Sequence, residues 1–193
     1  MGTVEIISAA LGLSCVFLAG RNSKYNFWVG YVYNLFLFAL FWHQQLYSAM
    51  LLQPVAFAIN IYGHWHWTHP REDERSAADA SSLKVSRMGV RSIMAAMGFV
   101  LVFGTAWAVF LKNETADPAP WLDSYVLMLT FLAQYLSAQK KWECWIVWLL
   151  VNAANIALYI SAGLYVMPVV SLLYLANGIW SLISWRRLYN SES

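Results

Sequence analysis

Eight neutral polar side chains lie deep within apolar runs of this sequence: Asn34, Gln53, Asn60, Thr130, Gln134, Asn152, Asn155 and Asn177. An amide both donates and accepts hydrogen bonds, so a set of amides can hold a polar solute without any formal charge. None of the eight is ionisable, and the nearby carboxylates Glu5, Asp123 and Glu143 fall at the ends of the runs. A proton-coupled carrier or pump needs a group inside the bilayer whose charge changes during the cycle. Uncoupled, downhill movement of a solute is therefore the simpler expectation, with Na⁺ held by backbone carbonyls left open as an alternative.

Aromatic residues stand among these amides: Trp28, Tyr31, Tyr62, Trp145, Trp148, Tyr159, Tyr174 and Trp180. Trp145, Trp148 and Asn152 follow i, i+3, i+7 spacing, which puts two indoles and an amide on one helical stripe. Indole faces attract flat rings, cations above all, and plain helix packing would use the same stripe. Trp65, Trp67 and Trp185 lie near span ends, at the level where indole prefers the headgroups. His64, His66 and His69 could suggest a metal. However, His64 and His66 point to different faces of a helix, and no Cys or carboxylate completes a set within the span. Cys15 and Cys144 supply neither a disulfide framework nor ligand spacing. No cofactor is expected.

The elements that would position these residues must suit an apolar solvent. Hydrophobic residues make up 60% of the 193 and charged residues 11%, a balance that cannot cover a soluble surface. Runs of the roughly 20 residues needed to cross a bilayer recur. They predict seven spans at 4–20, 25–43, 47–67, 92–111, 123–139, 142–161 and 165–185. No basic residue precedes the first, so it reads as a span of the mature chain and not as a cleaved signal. Arg21, Lys24, Arg71, Arg75, Lys84, Arg87, Arg91, Lys140, Lys141, Arg186 and Arg187 fall on one side, and only Lys112 falls on the other. The positive-inside rule then puts the amino terminus outside and the carboxy terminus in the cytoplasm.

The segment Thr68–Arg91 is polar and lacks periodic apolar residues, as expected of a cytoplasmic linker. The organisation is thus three spans (4–67), a linker (68–91), one bridging span (92–111) and three more spans (123–185). The outer triplets show internal similarity. Lys24, Trp28 and Tyr31 correspond to Lys141, Trp145 and Trp148 at an offset of 117, and Tyr47, Tyr62 and Trp67 to Tyr165, Trp180 and Trp185 at 118. With one span between them, two such triplets insert as parallel repeats about an axis along the membrane normal. Pro54 and Pro168, near the outer ends of the third and seventh spans, could each be a hinge or a fixed kink.

The chain resembles the Pnu-type vitamin transporters, whose PnuC branch carries nicotinamide riboside and whose PnuT branch carries thiamine. The likeness covers nearly the whole sequence. It rests on Gln45-Leu46-Tyr47, Leu51-Leu52-Gln53, Asn60-Ile61-Tyr62-Gly63, Asp123-Ser124, the stripe Trp145, Trp148, Asn152, and Asn177-Gly178. It implies an all-α fold like the SWEET sugar transporters, two parallel three-helix bundles joined by a linking helix, and commonly a homotrimer. It also implies facilitated diffusion without ion coupling and trapping of the solute by a cytosolic kinase. The candidate substrate-binding set is Trp28, Tyr31, Asn34, Gln53, Asn60, Gln134, Trp145, Trp148, Asn152, Tyr174 and Asn177, suited to an aromatic cation with polar substituents. Relatives often read Glu-Asn-Trp where this chain has Glu143-Cys144-Trp145, so thiamine and nicotinamide riboside stay unranked. A sugar facilitator of the same architecture is the nearest rival. A membrane-embedded enzyme would need ionisable groups in a pocket, and here they lie at the edges. A structural or sensory membrane protein would need no paired repeat. No nucleic acid is expected as a partner; the lipid bilayer is.

Overall fold

The computed structural model describes residues 3–43, 47–77, 79, 81–115, 119–161 and 167–192. Seven helices run in chain order: α1 Thr3–Gly20, α2 Tyr25–His43, α3 Tyr47–Thr68, α4 Val90–Glu114, α5 Pro120–Ala138, α6 Cys144–Ser161 and α7 Met167–Ser191. They match the expected spans to within a few residues, except that α7 continues past Trp185 by a turn and a half that carries Arg186 and Arg187. α3 passes unbroken through Pro54. Pro168 is the second residue of α7, in the first turn, where no helical donor is lost. It is therefore part of a helix start and not an interior kink.

Six of the helices close into a ring. α1 packs on α2, α2 on α3, α3 on α5, α5 on α6, α6 on α7 and α7 back on α1, while α4, among the described residues, makes its helix contacts with α5. α4 is also the barest helix, with Met94, Leu101, Val102 and Phe103 all more than half exposed. Between Ile93 and Phe110 its exposed residues are apolar except for Thr105, as a helix facing lipid requires, and the charged ones lie at its ends. It holds to the ring through Gly104, whose missing side chain admits the Tyr125 ring, and through a 3.0 Å hydrogen bond between the Thr105 and Tyr125 hydroxyls.

The two halves of the ring repeat each other at a constant offset of 118. Both α1 and α5 end in a Schellman turn closed by a non-glycine residue at positive φ, Asn22 (59°) and Lys140 (54°). In the first turn Asn22 N–H donates to Ala19 O at 2.9 Å and Ser23 N–H to Leu18 O at 3.0 Å. In the second, Lys140 N–H donates to Ser137 O and Lys141 N–H to Leu136 O, both at 2.9 Å. Across the seams between halves, Gly63 meets Ala138 and Gly20 meets Ser181, so backbones approach closely. Trp67 Nε1–H donates to Ser137 O at 3.1 Å, and Trp185 Nε1–H to Gly20 O at 3.2 Å. The two indoles meet at 5.8 Å between centroids.

This register corrects the offset of 117 read for α2 and α6. Phe27, not Trp28, is the counterpart of Trp145. Phe27 lies edge-on to Trp67 at 5.1 Å, and Trp145 edge-on to Trp185 at 5.5 Å. Matching indole to indole slipped the comparison by one residue, and one residue turns a helix by about 100°. Trp28, 59% exposed, shares α2's outward stripe with Val32 and Leu35, opposite the buried Phe27, Gly30 and Asn34. Of the pairs read at 118, Tyr62 with Trp180 and Trp67 with Trp185 keep that register; Tyr165, the third member of that set, lies outside the described residues.

The linker is folded, contrary to its reading as an aperiodic connection. It forms one 3₁₀ turn, Glu72–Glu74, an antiparallel bridge Arg75–Leu83 and a parallel bridge Ser86–Lys141. Leu83, Val85 and Met88 are buried in the cluster built by Phe27, Trp67, Cys144, Trp145 and Trp185, so the segment plugs the basic end of the ring. Lys140 holds the plug. Its ammonium donates to Leu83 O and sits 4.7 Å from the centre of the Trp67 ring, with the residue only 2% exposed.

Burial pushes the Lys140 ammonium down to about 8, and the nearby Glu192 and Asp79 offset only part of that shift. The unfolded chain therefore binds more protons than the folded one between about pH 8 and the ordinary lysine value of 10.5. The cost of the buried charge is fully present below pH 8 and fades as pH rises through this window, by roughly 3 kcal/mol in all. The melting temperature of the wild type should rise from pH 8 to pH 10, and Lys140→Met should flatten that rise. A wild-type melting curve independent of pH in this range would show the ammonium to be solvated.

Candidate functional site

The basic ends of the helices set a common level from which depth can be counted. Asn34 lies nine residues into α2, Asn152 eight into α6, Asn60 eight before the end of α3 and Gly12 eight before the end of α1. At 1.5 Å per residue, all stand roughly 12–14 Å from the basic end, close to mid-bilayer. Asn34 and Asn152 are a repeat pair, and both are buried. The Asn152 amide N–H donates to Trp148 O at 2.8 Å, which leaves its oxygen as the available acceptor.

Asn60 reaches across to α2, where Gly30 leaves room for its amide. Asn177 reaches from α7 to α1, its amide donating to Val16 O at 3.3 Å. Tyr174 from α7 brings its hydroxyl to Gly12, and Tyr33 from α2 brings its own ring and hydroxyl to the same glycine. The spacing argument missed Tyr33. Gly12 was the signal that could have found it, because a glycine in an apolar span marks a close approach. The repeat partners of Tyr174 and Tyr33 are the smaller Ala56 and Val151, both buried, so the layer is asymmetric at this level.

Beneath this layer lies the aromatic floor of Trp67, Trp145 and Trp185. Trp145 is 1% exposed, and its indole N–H is buried without a hydrogen-bond partner among the described residues. On α5 the Gln134 side-chain oxygen is buried and unpaired in the same sense. An unpaired buried donor or acceptor costs on the order of 1–3 kcal/mol, so such atoms mark places where a ligand's polar groups gain most. Trp148 is partly buried against the aromatic core, and Gln53 is partly buried on α3, farther from the basic end. Thr130 is turned back on its own helix, its hydroxyl donating to Val126 O at 2.8 Å.

Two expected residues stand apart from the layer. Trp28 is on the outward face, edge-on to Tyr31 at 5.8 Å and to His64 at 5.5 Å. Tyr31 is drawn to the same place, with its hydroxyl 2.9 Å from His64 Nδ1. These three rings make a cluster between α2 and α3, in which Trp28 faces outward while Tyr31 also packs against the buried aromatic core. His66 diverges toward α5 and the linker, with Glu74 at 3.3 Å.

The ring of helices, the buried amide layer and the apolar perimeter can be compared with known proteins. The profile of the family described as nicotinamide mononucleotide transporter matches residues 2–187. The chain belongs to this family. Among its curated relatives, the nicotinamide riboside transporter PnuC of Escherichia coli (strain K12) is 27% identical over 186 residues, covering 85% of this chain and 77% of the relative. The riboflavin/roseoflavin transporter RibM of Streptomyces davaonensis is also 27% identical, over 181 residues, covering 94% and 83%. A crystal structure of the vitamin B3 transporter PnuC matches at a TM-score of 0.76 and 20% identity, covering 98% of this chain and 83% of that one. At that identity the likeness is one of fold. The chain is thus an all-α membrane protein of seven helices and a transporter of a small vitamin-type solute, not an enzyme.

Proposed function

We propose that the chain is a uniporter for a flat heteroaromatic vitamin, which binds between the amide layer and the aromatic floor and moves down its gradient into the cytoplasm. The observation that carries this is the pair of buried, unpaired atoms beneath the layer, Trp145 Nε1–H and Gln134 Oε1, set below Asn34 and Asn152. A ring stacked over the floor, with one acceptor and one donor at its edge, would satisfy both. The absence of any carboxylate or lysine from the described amide layer favours passage without ion coupling.

Nicotinamide riboside and thiamine both meet this chemistry, and a relative that carries riboflavin widens the class to uncharged fused rings. The basic end would face the cytoplasm across the cell membrane by the positive-inside rule, leaving the amino terminus outside. The remainder of the reading, a homotrimer of SWEET-like protomers coupled to a trapping kinase, rests on the family resemblance. The test is uptake into liposomes without an ion gradient, using radiolabelled nicotinamide riboside, thiamine and riboflavin, each in competition with a neutral sugar. Saturable uptake of one vitamin that stops at equal concentrations is the expected result. Accumulation only under an imposed gradient would overturn the uniport.

A further inference from the structure

On the outer side of the ring, the α3/α5 seam runs down onto the linker. Above, the two seams match: Tyr62 stacks on Tyr135 at 6.1 Å and Trp180 on Phe17 at 6.0 Å, both with planes 15° apart and both at the 118 offset. Val55, Ile61, Tyr62 and Trp65 form an exposed apolar stripe down α3. This stripe ends in a polar cavity of about 470 Å³ enclosed by α3, the linker and the α5–α6 turn, with Arg71, Lys84 and Lys141 in its walls.

The three cations outnumber the two carboxylates, Asp73 and Glu74, in those walls. Among the described residues, none of them lies within ion-pair distance of a carboxylate. Among the described residues, Lys84 and Lys141 donate to backbone carbonyls, of Asp73 at 2.5 Å and Arg87 at 3.3 Å. Of the two wall carboxylates, Glu74 is engaged by His66 at 3.3 Å, and Asp73 stands beside Lys84 without pairing with it. An apolar stripe running into a cationic cavity at the basic end has the shape and charge order of an acyl chain above a phosphate.

We propose that this cavity binds the phosphate headgroup of an anionic phospholipid, with Arg71 and Lys84 as the principal anion contacts and its acyl chain along Val55, Ile61 and Tyr62. The site is independent of the substrate pathway, since none of its walls belongs to the amide layer or the aromatic floor. The bound lipid would brace the linker plug against α3 from the outside.

Native mass spectrometry of the full chain, released from detergent with phosphatidylglycerol or phosphatidylcholine, tests this. Phosphatidylglycerol adducts should predominate. Arg71→Gln with Lys84→Gln should weaken them roughly tenfold, at about a fewfold for each cation removed. Arg71→Gln alone should weaken them less, and Arg21→Gln, at the second seam, should leave them unchanged. Both Arg71 and Lys84 are at the surface, and Arg71→Gln leaves the Lys84 contact with Asp73 intact, so it serves if the double variant is unstable. Equal retention of the two lipids, or unchanged adducts in both variants, would overturn the proposal. Retention of inorganic phosphate or glycerol phosphate in place of lipid would overturn the lipid assignment.

Discussion

Trp185→Ala is expected to lower the unfolding free energy by about 3 kcal/mol or more, the usual cost of emptying a buried indole site. Trp185 is fully buried and joins three parts of the molecule. Its ring meets Trp67 at the centre of the basic end and Trp145 on α6, and its N–H caps Gly20 O at the end of α1. The substitution therefore leaves a cavity and an unpaired carbonyl at once. Trp185→Phe retains most of the packing and loses only the hydrogen bond, so it should cost nearer 1 kcal/mol. Thermal melts in detergent, followed by intrinsic fluorescence and by monodispersity, would measure both. Equal melting temperatures for the wild type and the alanine variant would mean that the aromatic floor is not a structural joint.

Uptake should fall at least about tenfold in Asn34→Leu and in Asn152→Leu, the loss expected when one buried hydrogen bond to a polar solute is removed. Leucine keeps the branched shape of asparagine and has the higher helix propensity, so both variants should assemble normally. In Asn152 the amide N–H is already committed to Trp148 O, which makes the side-chain oxygen the group at stake. Trp148→Ala should impair uptake as well, through loss of a stacking surface beside that oxygen. The decisive measurement is initial rate in liposomes at matched protein density. Wild-type rates in both asparagine variants would refute the amide layer as the binding level, and the candidate site would shift to the aromatic floor.

The sequence by itself determined the number of helices, their approximate ends and which helix ends share the basic side. Each of these depends on local quantities: the length of an apolar run against the thickness of a bilayer, and the placement of eleven lysines and arginines. It also exposed the repeat and singled out neutral amides as candidates for the midplane, because amides in apolar runs stand out by composition alone. Tertiary structure decided what depends on rotation and distance. A one-residue slip between Trp28 and Phe27 moved an indole from the presumed site to the outer face, since a helix turns about 100° per residue and identity of residue type cannot fix phase. Leu83 and Val85, two apolar residues in a polar loop, became a plug only because the open end of the ring had apolar surface for them to cover. Lys140, one basic residue among eleven by sequence, is buried because a Schellman turn points it at Trp67 and Leu83 O. Burial of that kind is set by which distant segments fold back onto a site, and no local pattern encodes it.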